Sequence, residues 1–426
     1  MRPVQKSTES RSFKHFFAEL GPGLITGAAD DDPSGISTYS VAGATFGYLP
    51  LWTALFSFPL MAAVQLMCAR LGLVTGLGLA GVIRRRYSRW VLWGACTLLV
   101  IANVINIAAD LGGMAEATRM VTGAPVTLMV PVFGIVIVLL LMRSSYRTIA
   151  RVFKWLTLVL LAYVLTAFVA GVDWRLALRA TLVPHVEWSR SFFSILVAIL
   201  GTTISPYLFF WQAAQEVEEE HAKRKHHKLA RHDGVTYEEL CECRNDVVTG
   251  MFASNAVMYF IIMTTAATLH AHGKTDIATA QQAADALRPL AGAGAYWLFT
   301  LGLIGTGMLA VPVLAGSCAY AIAEAAAWRG SLNRKPRQAK KFYIVLAVAM
   351  ALGVALTYAG IDAIKLLFAS AVINGVLAPP IILIVLLLTG DKNVMGDAVN
   401  SRSLAYLGWL AFAVMVVAAL GLYIAS

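Results

Sequence analysis

Eleven apolar stretches, each close to the roughly 20 residues that an α-helix needs to cross a bilayer, constrain this chain more than any other feature. They cover about 20–46, 51–71, 90–118, 124–142, 152–171, 190–215, 247–271, 292–327, 342–360, 365–389 and 403–425. Only 14% of the 426 residues are charged and 58% are hydrophobic, against about 25% charged in soluble domains. The chain is therefore read as an all-α polytopic membrane protein. The first, third and eighth stretches are long enough to be tilted, broken or partly outside the bilayer.

A net charge of +10 raises the question of nucleic acid, but the basic residues lie between the apolar stretches, crowded on alternate sides. With residues at the ends of a stretch assigned to the nearer connection, 27 of the 34 Lys and Arg fall on the side of the N-terminus and 7 on the other. The positive-inside rule then places the N-terminus in the cytoplasm and, after eleven crossings of a cell inner (plasma) membrane, the C-terminus outside. The lipid bilayer is the expected partner, with neither nucleic acid nor an obligatory protein partner. Arg2 to Glu19 is polar, and the apolar run after it is long and holds Asp residues, so no cleavable signal peptide is expected. Cys68, Cys96, Cys241, Cys243 and Cys318 are an odd set in spans or in an inside connection, which does not make a disulfide framework.

Within the first stretch, Gly21 to Gly35 reads GPGLITGAADDDPSG. Carboxylates at membrane depth are costly unless they face a partner or a wet cavity, so Asp30, Asp31 and Asp32 mark a functional site. Pro33 and Gly35 interrupt the helix there, and carbonyls freed at such a break line a cavity and can ligate a cation. Three consecutive residues, about 100° apart on a helix, cannot all face one point. Asp32, directly before the Pro, is the first choice as ligand; Asp31 suits an outer shell and Asp30 an inner vestibule. The alternative is that the acids cap a re-entrant turn and bind nothing.

The sixth stretch carries the matching interruption, Gly201 to Gln215, GTTISPYLFFWQAAQ. Interrupted apolar segments at corresponding places in two halves point to an inverted-repeat transporter with its site between them. The halves are 20–171, with spans one to five, and 190–389, with spans six to ten; 1–19 is a cytoplasmic tail, 216–246 a cytoplasmic loop, and 403–426 an extra eleventh helix. The alternative for this stretch is a Pro-kinked helix whose hydroxyls bond their own backbone. In span three, Asn103, Asn106 and Asp110 share one face, with Glu116 beyond. They suit either interhelical hydrogen bonds or a polar path from the ion site. Arg143, Arg147, Arg151 and Lys154 form a solvated charge run. His221, His226, His227, His232 and Cys241-x-Cys243 lack structural zinc spacing, and a solvated linker with a short helix from Thr236 is expected there.

Gly-Pro-Gly, an apolar stretch and then Asp32, Pro33, Ser34 and Gly35 resemble the first segment of the Nramp divalent-metal transporters, whose motif reads Asp-Pro-Gly-Asn. In the sixth span Thr202, Ser205, Pro206 and Tyr207 stand where the family has Ala, Met, Pro and His. The resemblance implies an inverted five-plus-five repeat with broken helices 1 and 6, and a site built from Asp32, Asp31, Ser34, Gly35, Thr202 and Ser205, with Asn374 of span ten completing it. Ser205 in place of a thioether is a hard donor, and Gly35 in place of Asn leaves room. A larger, oxygen-lined site suits Mg²⁺, which dehydrates reluctantly, as in the Nramp-related magnesium transporters. Asp110 and Leu111 resemble the start of the family's proton pattern, but Gly113 takes the place of its Glu and Tyr207 that of its His. Neither relays protons near neutral pH, so transport of Mg²⁺, with Mn²⁺ second, is expected without proton coupling unless Glu116 takes over. A proton-coupled Mn²⁺ or Fe²⁺ importer, an Al³⁺ carrier, an amino-acid or organic-cation carrier and a cation channel are the rivals. No phosphate loop or nucleophile-base pair suggests an enzyme, and no cofactor is expected beyond the transported ion.

Overall fold

The computed structural model describes residues 21–143, 148, 158–227, 235–277 and 279–425. Every regular element among them is helical. The tail to Glu19, the charge-run residues Arg147, Arg151 and Lys154, His232 and the side chains of His226 and His227 lie outside the described residues.

The first expected span is two helices, α1 (Pro22–Asp30) and α2 (Pro33–Phe46). Asp31 and Asp32 leave helical geometry between them, Asp32 at φ −71° and ψ 169°. Pro33 is then well placed to start α2, since the first helical N–H has no partner to lose and φ is already set. The next elements are α3 (Trp52–Thr75), the short α4 (Leu79–Arg86), α5 (Arg89–Thr122) and α6 (Val126–Arg143). α3 and α5 both stop at a glycine in the left-handed region, Gly76 and Gly123. The fifth span is described from Leu158 and contains α7 (Leu161–Val169), which turns by 117° into α8 (Trp174–Leu182). The sixth is again a broken pair, α9 (Arg190–Thr203) and α10 (Pro206–His227). α11 (Tyr237–Thr268), α12 (Ala295–Ala325), α13 (Lys340–Thr357), α14 (Ala363–Thr389) and α15 (Arg402–Ile424) complete the bundle.

All eleven expected spans thus have a helical counterpart. Among the described residues nine helices are long and apolar enough to cross, or ten with the bent fifth pair. The first span escapes that count because Asp30, Asp31 and Asp32 in its middle make it too polar, not because it is broken. The connection at 216–246 differs from expectation. α10 continues through it to His227, and the helix expected from Thr236 is no short piece but the start of the 32-residue α11. Its capping box, Thr236 with Glu239, satisfies two end donors reciprocally.

Close backbone contact sets the register of this bundle, as it must where lipid removes the hydrophobic drive between helices. A Cβ on Gly27 would overlap the Gly250 carbonyl, and one on Gly250 the Gly23 carbonyl, so α1 lies directly on α11. In the second half Gly201 of α9 meets the backbone of Ala371 and Gly375 in α14. Two of the helices with glycine N-caps, α1 and α4, take their caps from other spans. Asp246 accepts from Gly23 N–H at 2.6 Å and Leu24 N–H at 3.3 Å, and Glu324 accepts from Gly81 N–H at 3.0 Å. On the same face of the bundle Arg86 pairs with Asp391 at 2.8 Å. The Asn393 N–H and that guanidinium hold the Asp391 carboxyl below the usual carboxylate range. On the opposite face His270 donates to the Ala44 carbonyl at 2.8 Å, beside the C-terminus of α2.

Candidate metal centre

The break between α1 and α2 delivers three acids to three surroundings. Asp32, as N-cap, accepts from Gly35 N–H at 2.6 Å through Oδ1. Its Oδ2 accepts from the Tyr207 hydroxyl at 3.3 Å, and Tyr207 makes a second contact of 3.3 Å to the Ala29 carbonyl. One phenol at the start of α10 therefore ties both sides of the first break to the second. Asp30 and Asp31 turn to α11, where the Ser254 hydroxyl lies 2.6 Å from Asp30 Oδ2 and 3.2 Å from Asp31 Oδ1. All three carboxylates are buried. Of the three, Asp32 is the one hydrogen-bonded to the second broken helix, whereas Asp30 bonds Ser254 of α11.

The break between α9 and α10 is differently made. Thr202 donates to the Ala198 and Ile199 carbonyls at 3.2 and 3.0 Å, and Ser205 to the Gly201 and Thr202 carbonyls at 2.8 Å each. The hydroxyls bond their own helix, which was the plainer of the two sequence readings. A hydroxyl that has spent its proton still carries two lone pairs, so the geometry leaves both residues able to accept from a metal-bound water or to ligate. Ser34, also expected as an oxygen donor, gives its proton to the Leu367 carbonyl of α14 at 3.1 Å and has Ser370 at 3.2 Å. Asn374, on the same helix next to Gly375, is buried with its Oδ1 unbonded. The space beside Gly35 is bounded by the Tyr39 ring, 3.3 Å from where a Cβ would stand.

Span three divides into a bonded and an unbonded part. Asn103 donates to the Leu314 carbonyl and to Ser317 of α12 at 3.0 and 2.7 Å, which is the interhelical role. Asn106 and Asp110 are fully buried, and neither side chain has a hydrogen-bond partner among the described residues. Asp110 lies within electrostatic reach of Asp32 and Tyr207. A Cβ on Gly113 would stand 2.9 Å from Leu367, so that position is filled by packing. Glu116 pairs with Arg119 at 2.9 Å and lines a separate cavity of about 270 Å³ with Thr279 and Tyr296.

Three contributors escaped the sequence reading. Ser254 is an ordinary serine in span seven, beside the more conspicuous Asn255, which bonds Ser57 instead. Asp246 looked like part of a solvated linker. Tyr39 was not singled out. Only the dense hydroxyl content of 34–40 hinted that α2 faces something polar. Among the described residues no group of three His, Cys, Asp or Glu is disposed around one metal position. What the breaks bring together is the Asp32 carboxylate, the Tyr207 hydroxyl and the Ala29 carbonyl: hard oxygen groups, of the kind that suit an ion that keeps some water.

A family model described as "Natural resistance-associated macrophage protein-like", Nramp, matches residues 23–425. The divalent metal cation transporter MntH of Klebsiella pneumoniae (strain 342) is 27% identical over 425 residues, 97% of this chain and 95% of its own. MntH of Yersinia pestis (strain Pestoides F) is 28% identical over 418 residues, 95% and 94% of the two chains. Among solved structures, the Eremococcus coleocola manganese transporter in complex with an aromatic bis-isothiourea substituted compound matches with a TM-score of 0.76 at 22% identity, covering 97% of this chain and 87% of that one. A nucleobase-cation-symport-1 family transporter in a closed conformation matches at 0.56 with 17% identity, over 94% and 91%. The broken first and sixth helices, the acids at the first break and a family match across nearly the whole length agree: the chain belongs to the Nramp family.

Proposed function

We propose that this protein is a divalent metal cation transporter that carries Mg²⁺, and Mn²⁺ as a second cargo, into the cytoplasm by alternating access without obligatory proton coupling. The cargo class follows family membership and the divalent metal transport for which the MntH relatives are named. The finer reading rests on one observation: the two breaks meet through oxygen, with Asp32 joined to Tyr207 across them and Ser205 in the place of the family's thioether. Asp32 is the main carboxylate ligand. Asp31, Ser34, Thr202, Ser205 and Asn374 serve it directly or through water, and Gly35 keeps a side chain out of the site. Tyr207 holds Asp32 instead of relaying protons, and Gly113 is packed against Leu367.

The N-terminus is placed in the cytoplasm by the charge asymmetry alone. A second reading, a proton-coupled Mn²⁺ or Fe²⁺ importer, is favoured by Asp110, a buried carboxyl near Asp32 with no hydrogen-bond partner among the described residues. Uptake into proteoliposomes with internal pH recorded separates the two. Saturable Mg²⁺ uptake that is lost in Asp32→Ala and brings no acidification supports the proposal. Mn²⁺ uptake with acidification and no Mg²⁺ flux sinks it, and Asp110→Asn then becomes the variant to test for lost coupling.

A further inference from the structure

Tyr39 is fully buried in α2, yet its hydroxyl has no hydrogen-bond partner among the described residues. A buried donor left unmade costs free energy, and such groups in folded proteins are nearly always satisfied. A tyrosine is thus an expensive choice where a phenylalanine would pack equally well. The position of the ring gives the reason. Residues 35 and 39 are four apart on one helix and lie one above the other. The ring carbon that bears the hydroxyl is 3.4 Å from the point where a Cβ on Gly35 would stand, and Asp32 Oδ1 is also 3.4 Å from that point. The phenol and the central carboxylate therefore border the same small volume. The phenol is within electrostatic reach of Asp30 and Asp31 as well, and close to the Thr202 hydroxyl of the second break, though outside good hydrogen-bond geometry with it.

We propose that Tyr39 is a selectivity residue of the metal site, holding a water carried by the cation rather than the cation itself. The inference rests on the hydrated-ion reading given above. A neutral phenol is a poor ligand, but its oxygen accepts a hydrogen bond, and water bound to a divalent cation is a polarised donor. Mg²⁺ gives up its water reluctantly, so it presents such a donor. An ion that sheds that water and binds Asp32 directly does not use the phenol. Gly35 and Tyr39 then work as a pair: the missing side chain at 35 leaves the ring its place, and the ring supplies a polar group one hydration layer further out.

Tyr39→Phe keeps the ring and removes the hydroxyl. In proteoliposomes the Mg²⁺ KM is expected to rise about tenfold and the Mn²⁺ KM by less than about threefold, the scale of one hydrogen bond lost for one ion only. An Mn²⁺ KM that stays within about threefold of wild type also reports an intact fold. Equal shifts for both ions, or none, overturn the role of Tyr39 and leave the Mg²⁺ reading standing. Absence of Mg²⁺ flux in the wild-type protein overturns both. Should the purified variant resist reconstitution, competition of Mg²⁺ against Mn²⁺ uptake in cells reads the same ratio.

Discussion

The two broken helices do the same topological job by opposite means. At the first break the polar groups are carboxylates, and besides the N-cap bond of Asp32 to Gly35 each finds a partner on another part of the chain: Tyr207 for Asp32, Ser254 for Asp30 and Asp31. At the second they are hydroxyls, and each bonds a carbonyl one turn back on its own helix. A buried charge cannot be satisfied locally by a helix that is ending, whereas a hydroxyl donor can. The first break is therefore wired to its surroundings and supplies the charge. The second is self-contained and offers lone pairs without rearranging anything else. Mutations should accordingly cut deep at the first break and only trim affinity at the second.

The largest effect expected is that of Asp32→Ala. Partners in the outer shell of a metal are typically worth about 10- to 100-fold and the direct carboxylate at least that, so uptake should fall about 100-fold or more. Uptake assays that give Ser205→Ala a loss as large would end the distinction between the breaks. Next come the glycines that brace both. Gly27→Ala against α11 and Gly201→Ala against α14 each force a methyl into backbone and should each lower stability by about 1–3 kcal/mol, read as thermal unfolding in detergent. If only one destabilises, the two halves are not equally braced. Ser254→Ala removes the hydroxyl shared by Asp30 and Asp31, and an increase in metal KM of about tenfold would place that pair in the outer shell. No change would make it purely a helix contact. Ser205→Ala deletes a donor whose bonds stay within its own helix and should raise KM by less than about threefold; a larger shift would make Ser205 a direct ligand.

Where the site could be read from sequence, the signal was local. An Asp before a Pro at membrane depth is both a helix stop and an N-cap for the next helix, and that needs no knowledge of neighbours; Asp32 does both. Ser205 before Pro206 was equally visible, and so was the pairing of the two breaks as halves of a repeat. Ser34 was legible as an oxygen at the right place, but not as a group that gives its proton to Leu367, 333 residues away. Ser254 was invisible because nothing in span seven shows which turn meets Asp30. Glu116 was legible as a carboxyl one turn beyond Gly113, but not as a group paired with Arg119.

From sequence alone came the spanning helices, the two breaks and the acid at their centre, since bilayer thickness, proline and buried charge act on the chain position by position. The tertiary structure decided which oxygens those acids meet and which side chain fills the space at Gly35. Those outcomes depend on the register between distant helices, set by backbone contacts such as Gly27 on Gly250 and Gly201 on Gly375. A glycine shows that a close approach is allowed; only the packed bundle shows what approaches.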